Sequence, residues 1–282
     1  YNGLAGALQR AQWLPWNIDL TTVTGNLKSV TSLSVGVEGA GAAGVVYVDD
    51  IRVYPLMPEL ITPVDPDPAN WVAHYAFDGN PTDSVGGLHG TLAGNAAFEA
   101  GQQGQALSLN TLSVTDYVES TGYQGILGAD AITVAAWVNT DSDATAAIIG
   151  WGPNVGSQRF GFRIDGGRLR NEHGNGNIQG DTVINDGTWH HVAVTVQPNA
   201  TVSHPEVQLW VDGQDDTRPT TDPDAFDLTA GPDVSIGRRP ANDDRYYIGL
   251  IDELHIYNRA LSQAEIAGLA GLTQPFDKPF SD

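Results

Sequence analysis

One seven-residue pattern occurs twice in the chain and restricts the folds open to it. Val48-Asp49-Asp50-Ile51-Arg52-Val53-Tyr54 returns as Ile251-Asp252-Glu253-Leu254-His255-Ile256-Tyr257. Each copy places an acidic pair after an apolar residue and then alternates to a Tyr, and each follows a glycine, Gly44 or Gly249. Alternation with a period of two describes a β-strand with one face in a core. Two copies predict two all-β modules that close on the same kind of strand. Only the second copy has a full domain's worth of sequence before it, so the chain is expected to begin inside its first module.

Residues 1–55 contain about three strand-like segments, fewer than a two-sheet core requires. Such a piece leaves strand edges to be covered by other sequence or by another copy of the chain. Residues 56–70 form a linker, with Pro55 at its edge and Pro58, Pro63, Pro66 and Pro68 within it, and proline stiffens a chain while refusing sheet pairing. The main domain is expected over 71–272, followed by a tail at 273–282. Its strands are read at Val72–Phe77, Ala106–Leu109, Asp116–Glu119, Ile132–Asn139, Ala146–Trp151, Arg159–Ile164, Arg168–Asn171, Trp189–Gln197, Val207–Val211, Val234–Gly237 and Gly249–Tyr257. Asp165-Gly166-Gly167 and Asp212-Gly213 mark tight reversals. One helix is read at 262–267, where Ser262 and Glu265 have the spacing of a capping box. The expected fold is an all-β antiparallel β-sandwich with a partial N-terminal β module.

Composition narrows the partners. A net charge of −21 argues against nucleic acid and anionic membranes. It suits a solvated acidic surface or a protein that binds cations. There is no cysteine for disulfides or thiolate metal sites, and no stretch approaches the ~20 apolar residues of a membrane span.

The main domain resembles the laminin G-like, concanavalin A-like lectin domains. The resemblance rests on ordered motifs. His74-Tyr75-Ala76-Phe77-Asp78-Gly79 opens the domain, followed by Asp83-Ser84 and Leu88-His89-Gly90-Thr91-Leu92. Ile132-Thr133-Val134-Ala135-Ala136-Trp137-Val138 comes next, then Asp186-Gly187-Thr188-Trp189-His190-His191-Val192 and Leu209-Trp210-Val211-Asp212-Gly213. Gly249 to Ser262 closes it. The resemblance implies a jelly roll of two stacked antiparallel sheets. Residues 1–55 are similar, over a shorter span, to the last strands of a carbohydrate-binding-module jelly roll.

In that family the first and last strands lie side by side. This implies that Asp78 and Asp252 converge on a structural Ca²⁺, with Asn80, Asp83 and turn carbonyls completing an oxygen shell. The alternative is that Asp78 caps a turn and Asp252 bonds the backbone locally. For glycans, Arg159, Arg170, Glu172 and His173 offer polar groups, and Trp151, at a strand end, offers a stacking face. The alternative here is paired arginines and a core tryptophan. Trp137, Trp189 and Trp210 lie in apolar strands and are read as core. His190 and His191 point to opposite faces and cannot chelate one ion, while His74, His89, His204 and His255 show no ligand spacing. The fold class includes glucanases with closely spaced acids on one strand, but no such strand occurs here, and Asp252 and Glu253 are adjacent and face opposite ways. The expected function is a non-enzymatic, calcium-stabilised carbohydrate-binding or adhesion module, extracellular and part of a larger protein. Its partners are glycans or polysaccharides. The alternative is a structural subunit that assembles with other copies through its N-terminal strands.

Overall fold

The computed structural model describes residues 60–110, 115–155, 158–173, 176–197, 206–218 and 227–277. The expected β piece over 1–55, including Asp49, lies outside them, as does His204. The chain divides into two compact units: 1–62 together with 274–282, and 63–273. In the first unit, β1 (Leu60–Ile61) pairs antiparallel with β17 (Phe276–Asp277).

The second unit is a two-sheet sandwich. Its strands in chain order are β2 (Trp71–Tyr75), β3 (Thr91–Ala93), β4 (Ala97–Ala100), β5 (Gln105–Ser108), β6 (Tyr117–Ser120), β7 (Ile132–Asn139), β8 (Ala146–Trp151) and β9 (Phe160–Asp165). They continue with β10 (Arg168–His173), β11 (Gly176–Val183), β12 (Trp189–Gln197), β13 (Glu206–Val211), β14 (Gln214–Asp215), β15 (Val234–Ile236) and β16 (Leu250–Tyr257). A seven-stranded sheet has the order β11-β10-β9-β8-β15-β6-β3. An eight-stranded sheet runs β14-β13-β12-β7-β16-β5-β4, with β2 added beside β16. All named pairings are antiparallel, and the first and last strands of the sandwich are neighbours, with Leu254 opposite Tyr75 and His255 opposite His74.

Alternation builds the core. Phe160, Phe162 and Ile164 of β9 point inward with Val192, Val194 and Val196 of β12, and all six are buried in one cluster. Each such side chain contributes on the order of 2 kcal/mol on leaving water. The residues between them, Gly161, Arg163 and Asp165, take the outer face of the seven-stranded sheet. The β9–β10 reversal turns on Gly166 and Gly167 at φ 59° and 72°, the left-handed pair that a two-residue hairpin demands.

A second apolar cluster lies on the outer face of the eight-stranded sheet, where Ala135, Ala193, Trp210, Tyr257, Leu261 and Ile266 pack together. Helix α1 (Gln263–Leu269) covers it, and the capping box is present: Ser262 and Glu265 satisfy each other's backbone amides. Trp210 is therefore core, whereas Trp137 and Trp189 are half-buried. Strand β11, on glycine- and asparagine-rich sequence, pairs along β10.

Candidate functional site

The outer face of the seven-stranded sheet carries a cross-strand row that is polar at both ends and glycine in the middle. Thr91 pairs with Glu119 and Glu119 with Ser235. Ser235 pairs with Gly150 and Gly150 with Gly161. Gly161 pairs with Glu172 and Glu172 with Asn177. At ~4.8 Å per strand the row is roughly 30 Å long. Gly150 and Gly161 put no side chain into its middle; the segment before β16 covers Gly150, where an added Cβ would lie 3.4 Å from Pro240 Cδ.

Glu172 is the focus. Its Oε1 accepts a hydrogen bond from Arg159 Nη2, and its Oε2 accepts from Arg245 Nη1 at 2.6 Å. Arg163 Nη1 lies 2.8 Å from the same Oε2. Asp165 Oδ2 accepts from Arg170 Nη1 at 2.7 Å and lies 3.4 Å from Arg163 Nη2. Four arginines thus surround two carboxylates on a chain whose net charge is −21. The Nε atoms of Arg163 and Arg170 are buried without a hydrogen-bond partner. Arg245 enters from the loop before β16 with φ 56°, and its carbonyl is held by the Ala147 amide at 2.7 Å. Burial lowers its pKa, and the nearby Arg159 charge adds to the effect. Farther along the row, Arg238 stacks over Tyr117 at 3.6 Å and reaches Glu119 at 2.8 Å. Tyr246 lies beside Tyr117, ring centres 6.4 Å apart.

The sequence therefore located part of this face. Arg159, Arg170 and Glu172 come together on it. The backbone of His173 closes β10, while its side chain lies outside the described residues. Trp151 is a correction: it is 1 % exposed, stacks on Phe160 at 4.1 Å and donates from Nε1 to the Ile126 carbonyl at 3.1 Å. It points inward because its β8 neighbour Gly150 takes the outer position, so it has no free face for a sugar. Tyr117, Arg238, Arg245 and Tyr246 were missed because they come from distant segments and carry no local pattern.

Asp78 and Asp252 hold the same turn, between β4 and β5. Asp78 Oδ1 accepts the Gln105 amide at 2.7 Å, and Asp252 Oδ2 accepts the Gln103 amide at 2.9 Å. Glycines make this approach possible: a Cβ on Gly101 would lie 2.6 Å from Asp252 Oδ2, and one on Gly104 would lie 2.0 Å from Asp78 Oδ1. Asp252 is fully buried, and burial pushes its carboxyl up to about 6, with the Glu253 charge adding to the rise. Asp252 Oδ1 accepts the Glu253 amide at 2.8 Å, so both Asp252 oxygens and Asp78 Oδ1 bond the backbone, and carboxylate oxygens are also the donor type Ca²⁺ takes. Asn80 Oδ1 accepts the Thr82 amide, and its Nδ2 donates to the Asp78 carbonyl. Asp83 stands apart from the turn. Its two oxygens accept four amides, those of His74, Val85, Gly86 and Leu88. Burial alone would raise its pKa, but these bonds outweigh that and hold it below the ordinary carboxylate value. Asp83 staples its own loop.

Two stacked antiparallel sheets with a polar outer face define the jelly-roll sandwich class. Within it, residues 112–267, more than half of the chain, match the model of the concanavalin A-like lectin/glucanases superfamily. The chain belongs to that family. Among solved structures it is similar to domain 4 of AbnA, a GH43 extracellular arabinanase from Geobacillus stearothermophilus, solved in complex with arabinotriose. That likeness has a TM-score of 0.56 and 24 % identity over 71 % of this chain and 98 % of that one. The binding domain of Paraclostridial Mosquitocidal Protein 1 is similar at TM-score 0.54 and 16 % identity, over 71 % of this chain and 52 % of that one. The receptor-binding domain of botulinum neurotoxin type G gives 0.51 and 14 %, over 72 % and 51 %. These likenesses are of fold. No curated protein sequence matches the chain.

Proposed function

We propose that the chain is a non-catalytic glycan-binding module of a secreted or cell-surface protein, and that the polar row on the seven-stranded sheet is where it meets its ligand. The observation that carries this is the gathering of Arg159, Arg163, Arg170 and Arg245 around Glu172 and Asp165 on an otherwise acidic chain. Guanidinium groups present fixed forks of donors, and sugars present dense arrays of acceptor oxygens. Tyr117 and Tyr246 add aromatic faces toward the other end of the row. The arabinotriose complex of the similar arabinanase domain supports a glycan as the ligand class. The acidic pairs support a binding role: Asp243 and Asp244 are tied to Arg238 and Arg239, and Asp252 is tied to the Gln103 turn.

In this proposal Ca²⁺ is held by Asp78, Asp252 and carbonyls of the 101–104 turn, with Asn80 beside them. The ion would supply positive charge to a buried carboxylate and clip the opening and closing strands of the sandwich to one turn. Its role is structural, and adhesion through surface glycans follows from the same reading. Binding to other copies through residues 1–55 is the competing proposal. Its signature is a concentration-dependent mass that disappears when those residues are deleted.

The test is an array of neutral and acidic polysaccharides probed with the chain, once in millimolar calcium and once in chelator. Binding to a defined polysaccharide is expected, weakened in chelator through loss of stability. Silence in both conditions would overturn the proposal.

A further inference from the structure

We propose that His74, Glu253 and His255 form a binding site for a first-row transition metal ion, Zn²⁺ foremost, on the outer face of the eight-stranded sheet. This inference is independent of the glycan reading. Antiparallel pairing of β2 with β16 sets His255 directly opposite His74, and their rings stack with centres 4.3 Å apart and an interplanar angle of 13°. Both ring Nε2 atoms approach one oxygen: Glu253 Oε2 lies 2.6 Å from His74 Nε2 and 3.8 Å from His255 Nε2. Ligand atoms of the three residues lie within 4.8 Å of one another. Tetrahedral Zn²⁺ with bonds of 2.0–2.1 Å spaces its donors by about 3.3 Å. The two observed separations straddle that value, and because each Nε2 lone pair lies in its own ring plane, the near-parallel imidazoles must tilt toward each other on loading.

Three further observations favour a metal over a simple histidine–carboxylate hydrogen bond. Glu253 has φ 46°, a conformation disfavoured for a residue with a Cβ. It sits where the pairing of β16 with β7 shifts register, between Asp252 and His255. Such a bulge re-aims a side chain, and here it sends Asp252 to the Gln103 turn and Glu253 to the two imidazoles. Second, the other ring nitrogen of His74, Nδ1, is 3.0 Å from Ser84 Oγ, the kind of outer partner that orients a ligating histidine. Third, one hydrogen bond between His74 and Glu253 would account for those two residues, yet Nε2 of a second imidazole lies 3.8 Å from the same oxygen, and its Nδ1 is buried without a hydrogen-bond partner.

His74 and Glu253 are half-buried and His255 lies deeper. The side chains of His74, Glu253 and His255 are 15 %, 16 % and 12 % exposed. Trp71 packs against both rings, at 5.3 Å from His74 and 5.5 Å from His255, and walls one side of the site. Two imidazoles and one carboxylate select borderline metals over Ca²⁺. Three protein ligands leave a coordination position for water or an external ligand.

The experiment is isothermal titration of the full metal-free chain with Zn²⁺, paired with visible absorption on adding Co²⁺. The variants are Glu253→Gln and His255→Gln, with His190→Gln as control, since His190 lies against Asp186 and Asp212. One Zn²⁺ site is expected that excess Ca²⁺ does not displace. Its affinity should fall tenfold or more, on the order seen when metal sites lose a supporting group, in both site variants but not in the control. Glu253→Gln keeps the shape of the side chain, and the Co²⁺ spectrum of the unaltered chain gives a readout that does not depend on any variant folding. Absence of Zn²⁺ binding, equal binding by Glu253→Gln, or loss on His190→Gln instead would overturn the proposal.

Discussion

Glu172 stands directly across the strands from Gly161, and the guanidinium groups of Arg159, Arg163 and Arg245 close on its carboxylate. Glu172→Gln leaves Arg159, Arg163 and Arg245 facing one another without their shared counter-charge. It is expected to destabilise the chain by on the order of 3 kcal/mol in urea denaturation. Gly161→Ala is the contrast. Its Cβ would sit 3.7 Å from Glu172 Cβ, ordinary contact, so stability should stay within about 1 kcal/mol.

The raised carboxyl of Asp252 makes stability depend on pH with a definite sign. Its folded pKa of about 6 exceeds the ordinary value of ~3.9, so between these limits the native state holds more protons than the unfolded state. The contribution of this group to stability therefore falls as pH rises from about 4 to about 6. Thermal unfolding in chelator should show that fall, and saturating Ca²⁺ should remove it. Asp252→Asn, which keeps an acceptor for the Gln103 amide, should abolish both the slope and the response to calcium. An unchanged slope in that variant would refute the assignment.

Gly104→Ala tests the turn itself. The position has φ 55°, and an added Cβ meets Asp78 Oδ1 at 2.0 Å. A loss of about 1–3 kcal/mol is expected, together with weaker stabilisation by calcium. Gly166→Ala has the same kind of φ, 59°, with nothing within 4 Å of the new Cβ. It should cost only the backbone penalty of about 1 kcal/mol. Differential scanning calorimetry with and without calcium separates the two.

Trp151→Phe should lower stability by about 1–3 kcal/mol, because the Ile126 carbonyl loses its buried donor. Glycan affinity should not change. A loss of affinity at unchanged stability would return Trp151 to the ligand.

The sandwich was legible because its central strands are long and strictly alternating. Ile132–Asn139 and Trp189–Gln197 are observed as read, since each must bury one face against the facing sheet. The short strands Thr91–Ala93 and Ala97–Ala100 bury little and show no alternation, so nothing in their sequence announced them. Gly176–Val183 reads as a loop by composition and forms a strand because the Arg168–His173 strand beside it offers a free edge. The site was half legible for a related reason. Arg159, Arg170 and Glu172 lie within one hairpin, where strand periodicity settles their face. Arg245 reaches Glu172 across 73 positions of sequence, and His74 reaches Glu253 across 179. Contacts of that separation are made by sheet order, which local pattern does not encode.

Glycan binding by the arginine-rich row is the proposal on which the functional assignment depends. The most direct measurement is titration of the chain with the best polysaccharide ligand, alongside Arg245→Ala and Arg170→Ala, in calcium and at equal folded fraction. Saturable binding is expected, weakened about tenfold by each substitution, the effect of losing one charged hydrogen bond of ~1.5 kcal/mol. Binding that both variants retain at full strength would place the ligand elsewhere and overturn the assignment of this face.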